Sequence, residues 1–231
     1  CSQISPPSKK VECHICKLKS TKRKSEIFLK YYKDQHHVNS GSKDEDFDLL
    51  LSLKFNGSEL IGKSSMTSEY IKKKFPDSKP YSIGVEVFNT YSSSLSIPCK
   101  VRIWNVHGKK TSRRISLAVN KGIFGLIFCF DLNSHKSFED IKEDYNYLID
   151  LQTSKAITLK LILVGMKSDL VCNRAIKDNH ASQWAEERGI PYIEVSAKNS
   201  QNVEMVFNTI LDEIITMSDE NFEEFCVKTY F

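Results

Sequence analysis

The stretch Gly57-Ser-Glu-Leu-Ile-Gly-Lys-Ser64 has the residue types and the spacing of a phosphate-binding loop. Gly57 and Gly62 allow backbone N–H groups to turn toward an anion, and a helix beginning after them would add the positive end of its dipole. Lys63 is then placed to reach the β- and γ-phosphates of a nucleotide, and the Ser64 hydroxyl is placed to ligate Mg²⁺. The alternative is a glycine-containing turn that binds nothing. The other members of the predicted phosphate site are Ser58, Glu59, Leu60, Ile61 and Ser65.

The segments around this loop alternate between apolar runs and amphipathic stretches from residue 47 to about residue 217. Near-continuous apolar runs are typical of strands that are buried on both faces of a parallel sheet. A serine-rich turn between two alternating runs predicts one antiparallel edge hairpin. We therefore expect an α/β three-layer sandwich around a mostly parallel, six-stranded sheet. The predicted strands cover residues 47–55, 83–91, 99–105, 123–131, 159–164 and 190–195, and the predicted loop helix covers residues 64–74.

Polar motifs follow these strands at their carboxyl ends, which is the edge of an α/β sheet where ligands bind. In chain order the motifs are GSELIGKS, YSIGVEV, KVRIWNVHG, GLIFCFD, LVGMKSDL and EVSAKN. This series resembles the Ras-superfamily small GTPases. The stretches IGVE (residues 83–86) and RIW (residues 102–104) are most similar to the Rab branch. The resemblance covers roughly residues 47–216, and it implies the P-loop small GTPase fold with GTP or GDP and Mg²⁺ as ligands.

The resemblance implies a guanine site near the end of the chain. Asp169 matches the aspartate of the N-K-x-D motif, where a carboxylate faces the guanine N1–H and amino group. Lys167 would lie against the purine plane. The motif Ser196-Ala197-Lys198 matches the second base-recognising motif, with the Ala197 N–H facing the guanine O6. Met166 replaces the motif's asparagine, and the lost hydrogen bonds would cost about 1–3 kcal/mol. The alternative is that Asp169 is an ordinary turn aspartate.

Two further positions follow from the same resemblance. Phe75 stands where the family often places an aromatic ring over the base, although it could equally be a core phenylalanine at the end of its helix. Ser82 stands at the position of the switch threonine, which ligates Mg²⁺ and senses the γ-phosphate. A serine keeps the required hydroxyl group. The expected metal ligands are therefore Ser64 and Ser82.

The hydrolysis motif departs most from the family, because Asn105-Val-His-Gly-Lys109 replaces D-T-A-G-Q. Asn105 would offer a neutral carbonyl oxygen in place of a carboxylate. Gly108 keeps the N–H that senses a γ-phosphate. Lys109 stands in place of the catalytic glutamine and cannot accept a hydrogen bond from the attacking water, so we expect weak or absent turnover. Glu59 and Leu60 replace small residues, and we expect Glu59 to pair with Lys109.

Residues 1–46 are predicted to form a flexible, basic N-terminal extension, since residues 1–43 hold ten Lys and Arg against three Asp and Glu. Its basic side chains could give weak contact with an anionic membrane. An apolar helix face could dock on the main domain, on a partner or on a membrane. A zinc site is a weaker alternative, because the histidine spacing is unusual. The helix face consists of Ile27, Phe28, Tyr31 and Tyr32, and the zinc candidates are Cys13, Cys16, His36 and His37.

Residues 218–231 form a short acidic and aromatic tail after the predicted domain at residues 47–217. No prenylation motif occurs at this C-terminus, so prenyl anchoring is not expected from it. Seven cysteines in an irregular pattern favour a reducing, intracellular setting over a disulfide framework. We expect a cytoplasmic or peripheral membrane protein. The basic charge lies in the N-terminal extension, so nucleic-acid binding by the main domain is not expected.

The sequence leaves two main functions open. The first is a Rab-like switch whose segments around Ser82 and Gly108 bind an effector in intracellular vesicle and membrane traffic, with exchange and activating factors as further partners. The second is a pseudo-GTPase interaction module that binds its partners independently of nucleotide. An ATP-using enzyme is poorly supported, because Asp169 has no useful hydrogen-bond partner on adenine.

Overall fold

The computed structural model describes residues 21–29, 49–76, 84–92, 99–120, 122–153 and 159–230. Ser82, the predicted zinc candidates, Tyr31 and Tyr32 lie outside these ranges. The strands are β1 Leu49–Asn56, β2 Val85–Ser92, β3 Cys99–Val106, β4 Gly125–Asp131, β5 Lys160–Met166 and β6 Tyr192–Val195. The helices are α1 (residues 21–29), α2 Lys63–Lys72, α3 Lys110–Ala118, α4 His135–Thr153, α5 Asp178–Glu186, α6 Val203–Ile215 and α7 Asp219–Tyr230, with a 3₁₀ turn at Val171–Asn173.

The strands form one six-stranded sheet in the order β2-β3-β1-β4-β5-β6. The β2–β3 pair is antiparallel, and the other described pairs are parallel. Every residue of β1 is buried, as expected for a central strand covered on both faces. Strand β2 lies at the edge, where alternate side chains are exposed. The predicted fold and its edge hairpin are therefore confirmed.

Neighbouring residues of β1 show which helices cover each face of the sheet. The Lys54 side chain contacts the end of α3, where its Nζ lies 2.8 Å from the Ser116 carbonyl oxygen. The ring of Phe55 packs edge-on against Phe207 of α6, with centroids 6.2 Å apart. Successive strand residues point to opposite faces. Helix α3 therefore covers one face together with α4, and α6 covers the other together with α2.

The two ends of the described chain pack together near the amino end of β4, on the side of the sheet opposite the carboxyl ends that carry the polar motifs. Phe222 of α7 is fully buried and stacks on Phe124, which directly precedes β4, with centroids 5.4 Å apart. In α1, Phe28 is fully buried, and the buried Lys24 ammonium lies 3.3 Å from the Asp219 carboxylate. The sequence predicted a flexible extension and a short tail, and it offered docking on the main domain as one alternative for the helix face that includes Ile27 and Phe28. For the described residues the structure has two helices that share the core of the domain, so this alternative is the one observed for Ile27 and Phe28.

Candidate functional site

The loop between β1 and α2 makes a tight turn, and its backbone explains its glycines. Gly57 has φ 149° and Gly62 has φ 108°, values that residues with side chains rarely adopt. Space is also limiting at Gly57, because a Cβ there would lie 2.2 Å from the carbonyl oxygen of Cys129. Leu60 adopts φ 60°, and its side chain is directed outward with 68% exposure. The loop therefore has the tight turn that a phosphate cradle requires.

Lys63 begins α2, and its ammonium group folds back onto this loop. The Nζ donates to the carbonyl oxygens of Gly57 at 2.8 Å and Ser58 at 2.7 Å. The side chain is buried, and burial lowers the pKa of Lys63 to about 8. A phosphate beside this nitrogen would favour the charged form again, since an anion raises the pKa of a neighbouring lysine. The position suits a cation that binds a phosphate group.

Asn105 of β3 lies beside the start of α2. Its side-chain nitrogen lies 2.8 Å from the Ser64 hydroxyl oxygen and 2.8 Å from a carboxylate oxygen of Glu86 on β2. An ionised carboxylate only accepts hydrogen bonds, so the amide nitrogen must be the atom that faces Glu86. The expectation that Asn105 offers its carbonyl oxygen here is therefore wrong. The group beside Ser64 is an N–H donor.

The loop after β3 rests directly on the phosphate-binding loop. A Cβ on Gly108 would lie 2.2 Å from the backbone nitrogen of Glu59, so a side chain at this position would collide with the other loop. The Glu59 carboxylate lies 3.5 Å from Nδ1 of His107. The Lys109 side chain is exposed to solvent. The predicted pairing of Glu59 with Lys109 is therefore wrong, and His107 is the cationic partner when its imidazole is protonated.

The opposite end of the site carries an oriented carboxylate. Asp169 accepts a hydrogen bond of 2.6 Å from the Ser196 hydroxyl group, which in turn accepts one from the Asn199 backbone N–H at 3.1 Å. Lys167 donates to a carboxylate oxygen of Asp131 at 2.7 Å, and its backbone has φ 64°. These contacts tie together the ends of β4, β5 and β6. Asp169 is thus held in one orientation by the Ser196 hydroxyl group.

Met166 ends β5, where the family motif would have asparagine. Its side chain is 1% exposed, and its Cε would lie 3.3 Å from a Cβ built on Gly62. The sequence predicted the loss of hydrogen bonds that would tie the nucleotide base to the loops of the site. Met166 therefore lies next to Gly62 of the phosphate-binding loop, and its buried side chain is apolar where an asparagine would be polar.

A cavity of about 540 Å³ lies between these groups at the carboxyl ends of the strands. Its volume falls in the range of small-molecule and cofactor sites. Phe75 lines it and is 41% exposed, so this ring is not the core residue considered as an alternative. The sequence-predicted residues that line the cavity are Glu59, Leu60, Ile61, Gly62, Lys63, Ser64, Ser65, Phe75, Gly108, Lys167, Asp169, Ala197 and Lys198.

Three predicted residues, Gly57, Ser58 and Ser196, support the site from behind its lining. Five lining residues were absent from the predicted set. Four of them occupy altered motif positions, so the sequence signal was the departure from the motif itself. The fifth, Leu170, has no signal beyond adjacency to a motif. The five residues are Asn105, Val106, His107, Met166 and Leu170.

The oxygen atoms of Ser64 and Glu86 are ligands of the kind that magnesium prefers, and they fit a magnesium ion that arrives with a nucleotide. Magnesium prefers oxygen ligands and usually keeps phosphate oxygens and waters in its shell. The Ser64 hydroxyl and the Glu86 carboxylate both lie 2.8 Å from the same Asn105 nitrogen. Within the described ranges, no cluster of three His, Cys, Asp or Glu side chains is placed to hold a metal. The protein alone thus supplies few ligands, and a nucleotide would supply the rest.

The strand order, the loop after β1 and the cavity at the strand ends define a P-loop protein with the small GTPase fold. A sequence profile of the Ras family matches residues 53–216. The chain is 32% identical to Ras-related protein rab-11.1 of Caenorhabditis elegans over 174 residues, which are 75% of this chain and 81% of that protein. The chain therefore belongs to the Ras family, as a divergent Rab-like member.

Two mammalian relatives have the same level of similarity. Ras-related protein Rab-25 of Canis lupus familiaris is 32% identical, over 75% of this chain and 80% of that protein. Rab-25 of Oryctolagus cuniculus is also 32% identical, over 74% of this chain and 79% of that protein. Among the residues that the structure describes, no helix has both the length and the apolar character needed to span a bilayer.

Proposed function

We propose that this chain is a guanine-nucleotide-binding, Rab-like molecular switch that binds GTP and GDP with Mg²⁺ and hydrolyses GTP slowly. One observation carries the proposal. A single cavity has the Lys63 ammonium in its wall at the phosphate-binding loop, while its other end has the Asp169 carboxylate, oriented by Ser196. These are the cation and the anion that a guanine nucleotide needs at its two ends.

Slow hydrolysis is supported by the groups around Gly108. Lys109 has no acceptor that could orient an attacking water, and its side chain is directed into solvent. The Glu59 carboxylate adds negative charge to the wall of the cavity on the phosphate side. Negative charge there would oppose the charge of a third phosphate. The magnesium ion, when bound, would neutralise phosphate charge, and the Ser64 hydroxyl is the described side chain best placed to hold it.

The relatives are named Ras-related Rab proteins, and their class supports a role in intracellular vesicle and membrane traffic. Effectors would bind near the segments around Ser82 and Gly108, with exchange and activating factors as further partners. The basic N-terminal segment, residues 1–43, would supply weak contact with anionic lipid. Recruitment to a membrane would then depend on a second signal from a partner.

The proposal is tested by the nucleotide that the protein retains. The purified protein is denatured, and the released nucleotide is identified by chromatography. We expect GDP or GTP from the wild-type protein and none from Lys63→Ala. Lys72→Ala, which removes an exposed lysine of the same helix, should retain it. A folded wild-type protein that binds neither GDP nor GTP, even when these are supplied at millimolar concentration, would contradict the proposal.

A pseudo-GTPase interaction module is the second candidate, and the substitution at Met166 favours it. The buried methionine offers no hydrogen-bonding group where the family motif has an asparagine, so a nucleotide base would be held less firmly. A protein that folds normally, lacks nucleotide and captures the same partners with and without added GTP would establish this second function.

A further inference from the structure

Arg113 of α3 is buried although it is charged, and it contacts both loops of the phosphate site. Its residue exposure is 3%. The Nη1 atom donates to the Gly108 carbonyl oxygen at 2.9 Å and to the Ser58 hydroxyl oxygen at 3.2 Å. The first contact is in the loop after β3, and the second is in the phosphate-binding loop. One guanidinium group therefore joins the two loops that face each other across Gly108.

Two carboxylates of α4 hold this guanidinium in place. Asp144 is fully buried and accepts from Arg113 Nε at 2.7 Å. The same carboxylate oxygen accepts from the Asn56 side chain at the end of β1, at 2.9 Å. Asp140 accepts from the Ser58 hydroxyl at 2.6 Å and lies 3.6 Å from Arg113 Nη2. The network thus connects β1, both loops, α3 and α4 through side chains of this chain alone.

The far end of α3 is fixed by a second buried cation. Lys54 of β1 is 5% exposed, and its Nζ donates to the carbonyl oxygens of Ser116 at 2.8 Å and Val119 at 2.6 Å. It also donates to the side-chain oxygen of Asn120 at 2.9 Å. These carbonyls belong to the last turn of the helix and the residue after it, where a cation is favourable. Helix α3 is therefore held at both ends.

We infer that Arg113 is a positioning residue that holds the Gly108 loop and α3 in one conformation whether or not a nucleotide is bound. In a switch of this fold the γ-phosphate supplies the contacts that order the loop. Here Arg113 supplies contacts to Gly108 and Ser58 that need no phosphate. The inference deepens the proposed function and rests on it for one consequence, which is that α3 does not report the nucleotide state.

The physical reason lies in the burial of the network. A charged pair with low exposure is costly to open, because each charge would lose its partner without regaining water. The Gly108 backbone also rests on the Ser58–Glu59 backbone with no room for a side chain. A ligand shifts a conformational equilibrium only by its differential affinity for the two states. Because Arg113 and its carboxylate partners already hold the Gly108 loop in place, binding of a γ-phosphate would change the conformation of this loop little.

The test is hydrogen exchange of residues 108–118 in the full chain, with no nucleotide, with GDP and with a non-hydrolysable GTP analogue. We expect slow exchange in all three states of the wild-type protein. Arg113→Gln should exchange at least about tenfold faster in this segment without nucleotide, while α6 keeps its protection. Arg114→Gln is the matched control, because Arg114 is partly exposed and its described contacts are with Glu143 and the Tyr147 ring of α4, not with the loops at Gly108 and Ser58. It should exchange like the wild type.

The outcomes of this experiment test the role of Arg113 separately from nucleotide binding. Rapid exchange of residues 108–118 in the nucleotide-free wild type, or protection only with the GTP analogue, overturns it. An Arg113→Gln protein that exchanges like the wild type also overturns it. If Arg113→Gln fails to fold, Asp144→Asn keeps the side-chain volume and should accelerate the same segment. If no nucleotide binds, the proposed function fails, while the nucleotide-free comparison still decides the role of Arg113.

Discussion

The amide nitrogen of Asn105 lies 2.8 Å from the hydroxyl oxygen of Ser64, so two neutral groups meet where the family places a hydroxyl and a carboxylate. The same nitrogen also reaches the Glu86 carboxylate. Because the amide is a donor, it neutralises no charge on a metal and occupies a lone pair of the serine oxygen. The contact predicts a weaker dependence on magnesium than a carboxylate at this position would produce.

Replacing this amide by a carboxylate should restore the dependence on magnesium. We expect Asn105→Asp to increase the magnesium affinity of the nucleotide complex by about tenfold, since a nearby opposite charge contributes on the order of 1 kcal/mol or more. Without magnesium the variant should melt at a lower temperature, because the new carboxylate faces Glu86. Magnesium titrations of nucleotide release and of thermal unfolding measure both effects. Asn105→Ala is the control, and an equal gain in that variant would refute the electrostatic explanation.

The hydrogen bond between Ser196 and Asp169 should contribute to the choice of guanine. Ser196→Ala removes the 2.6 Å contact that orients the carboxylate. We expect GDP affinity to fall by about 1 kcal/mol, or roughly fivefold, which is typical of one lost hydrogen bond. Weak ADP binding should not change, because adenine offers Asp169 no pair of donors. Titration with both nucleotides measures the difference, and Ser182→Ala serves as the control, because Ser182 is a partly exposed serine whose hydroxyl donates to Asn179 within its own helix.

The position of Lys109 predicts a gain of hydrolysis on reversion. Lys109→Gln introduces an acceptor for the attacking water, so single-turnover GTP hydrolysis should become faster. Since Glu59 lies near His107 instead of Lys109, Glu59→Ser should add to this gain independently. Rates are measured with pre-loaded, radiolabelled GTP. Unchanged rates in Lys109→Gln and in the double variant would show that these two residues do not limit turnover.

Nucleotide affinity should decrease at alkaline pH because of Lys63. Burial lowers the pKa of Lys63 to about 8 in the free protein, and a bound phosphate chain would raise it. Below pH 8 the amine is protonated in both states, so affinity should stay constant. Above pH 8 binding requires the uptake of a proton, and affinity should fall by about tenfold between pH 7 and pH 9. Lys63→Ala should bind weakly with a flat profile over this range, and a parallel decline in that variant would assign the effect to another group.

The sheet and the phosphate-binding loop could be predicted because their signals are local. Continuous apolar runs identify strands that are buried on both faces, and the strand at residues 123–131 was observed at Gly125–Asp131. The spacing of Gly57, Gly62 and Lys63 identifies the loop, because each residue meets a constraint within eight positions of the chain. The motif order then predicted a base site at Asp169, whose carboxylate accepts a hydrogen bond from Ser196.

The C-terminal helix shows a feature that local sequence patterns do not predict. Residues 218–231 were predicted to be only an acidic and aromatic tail. In the structure α7 is a helix because Phe222 and Cys226 are buried in the core, and Phe222 stacks on Phe124 from far earlier in the chain. Short helices gain most of their stability from such packing. The sequence of the tail does not indicate that Phe124 is the packing partner of Phe222.

The sequence by itself determined the fold, the phosphate-binding loop and the order of the motifs, since these depend on periodicity and on residue spacing. Tertiary structure alone decided which polar groups meet. Glu59 pairs with His107, and Arg113 reaches Asp144 thirty-one positions away. The Glu59–His107 contact depends on how the loop after β3 lies on the loop after β1. The Arg113–Asp144 pair depends on how α3 packs against α4, and its burial makes it costly to break, because an isolated charge in the interior has no water to replace its partner.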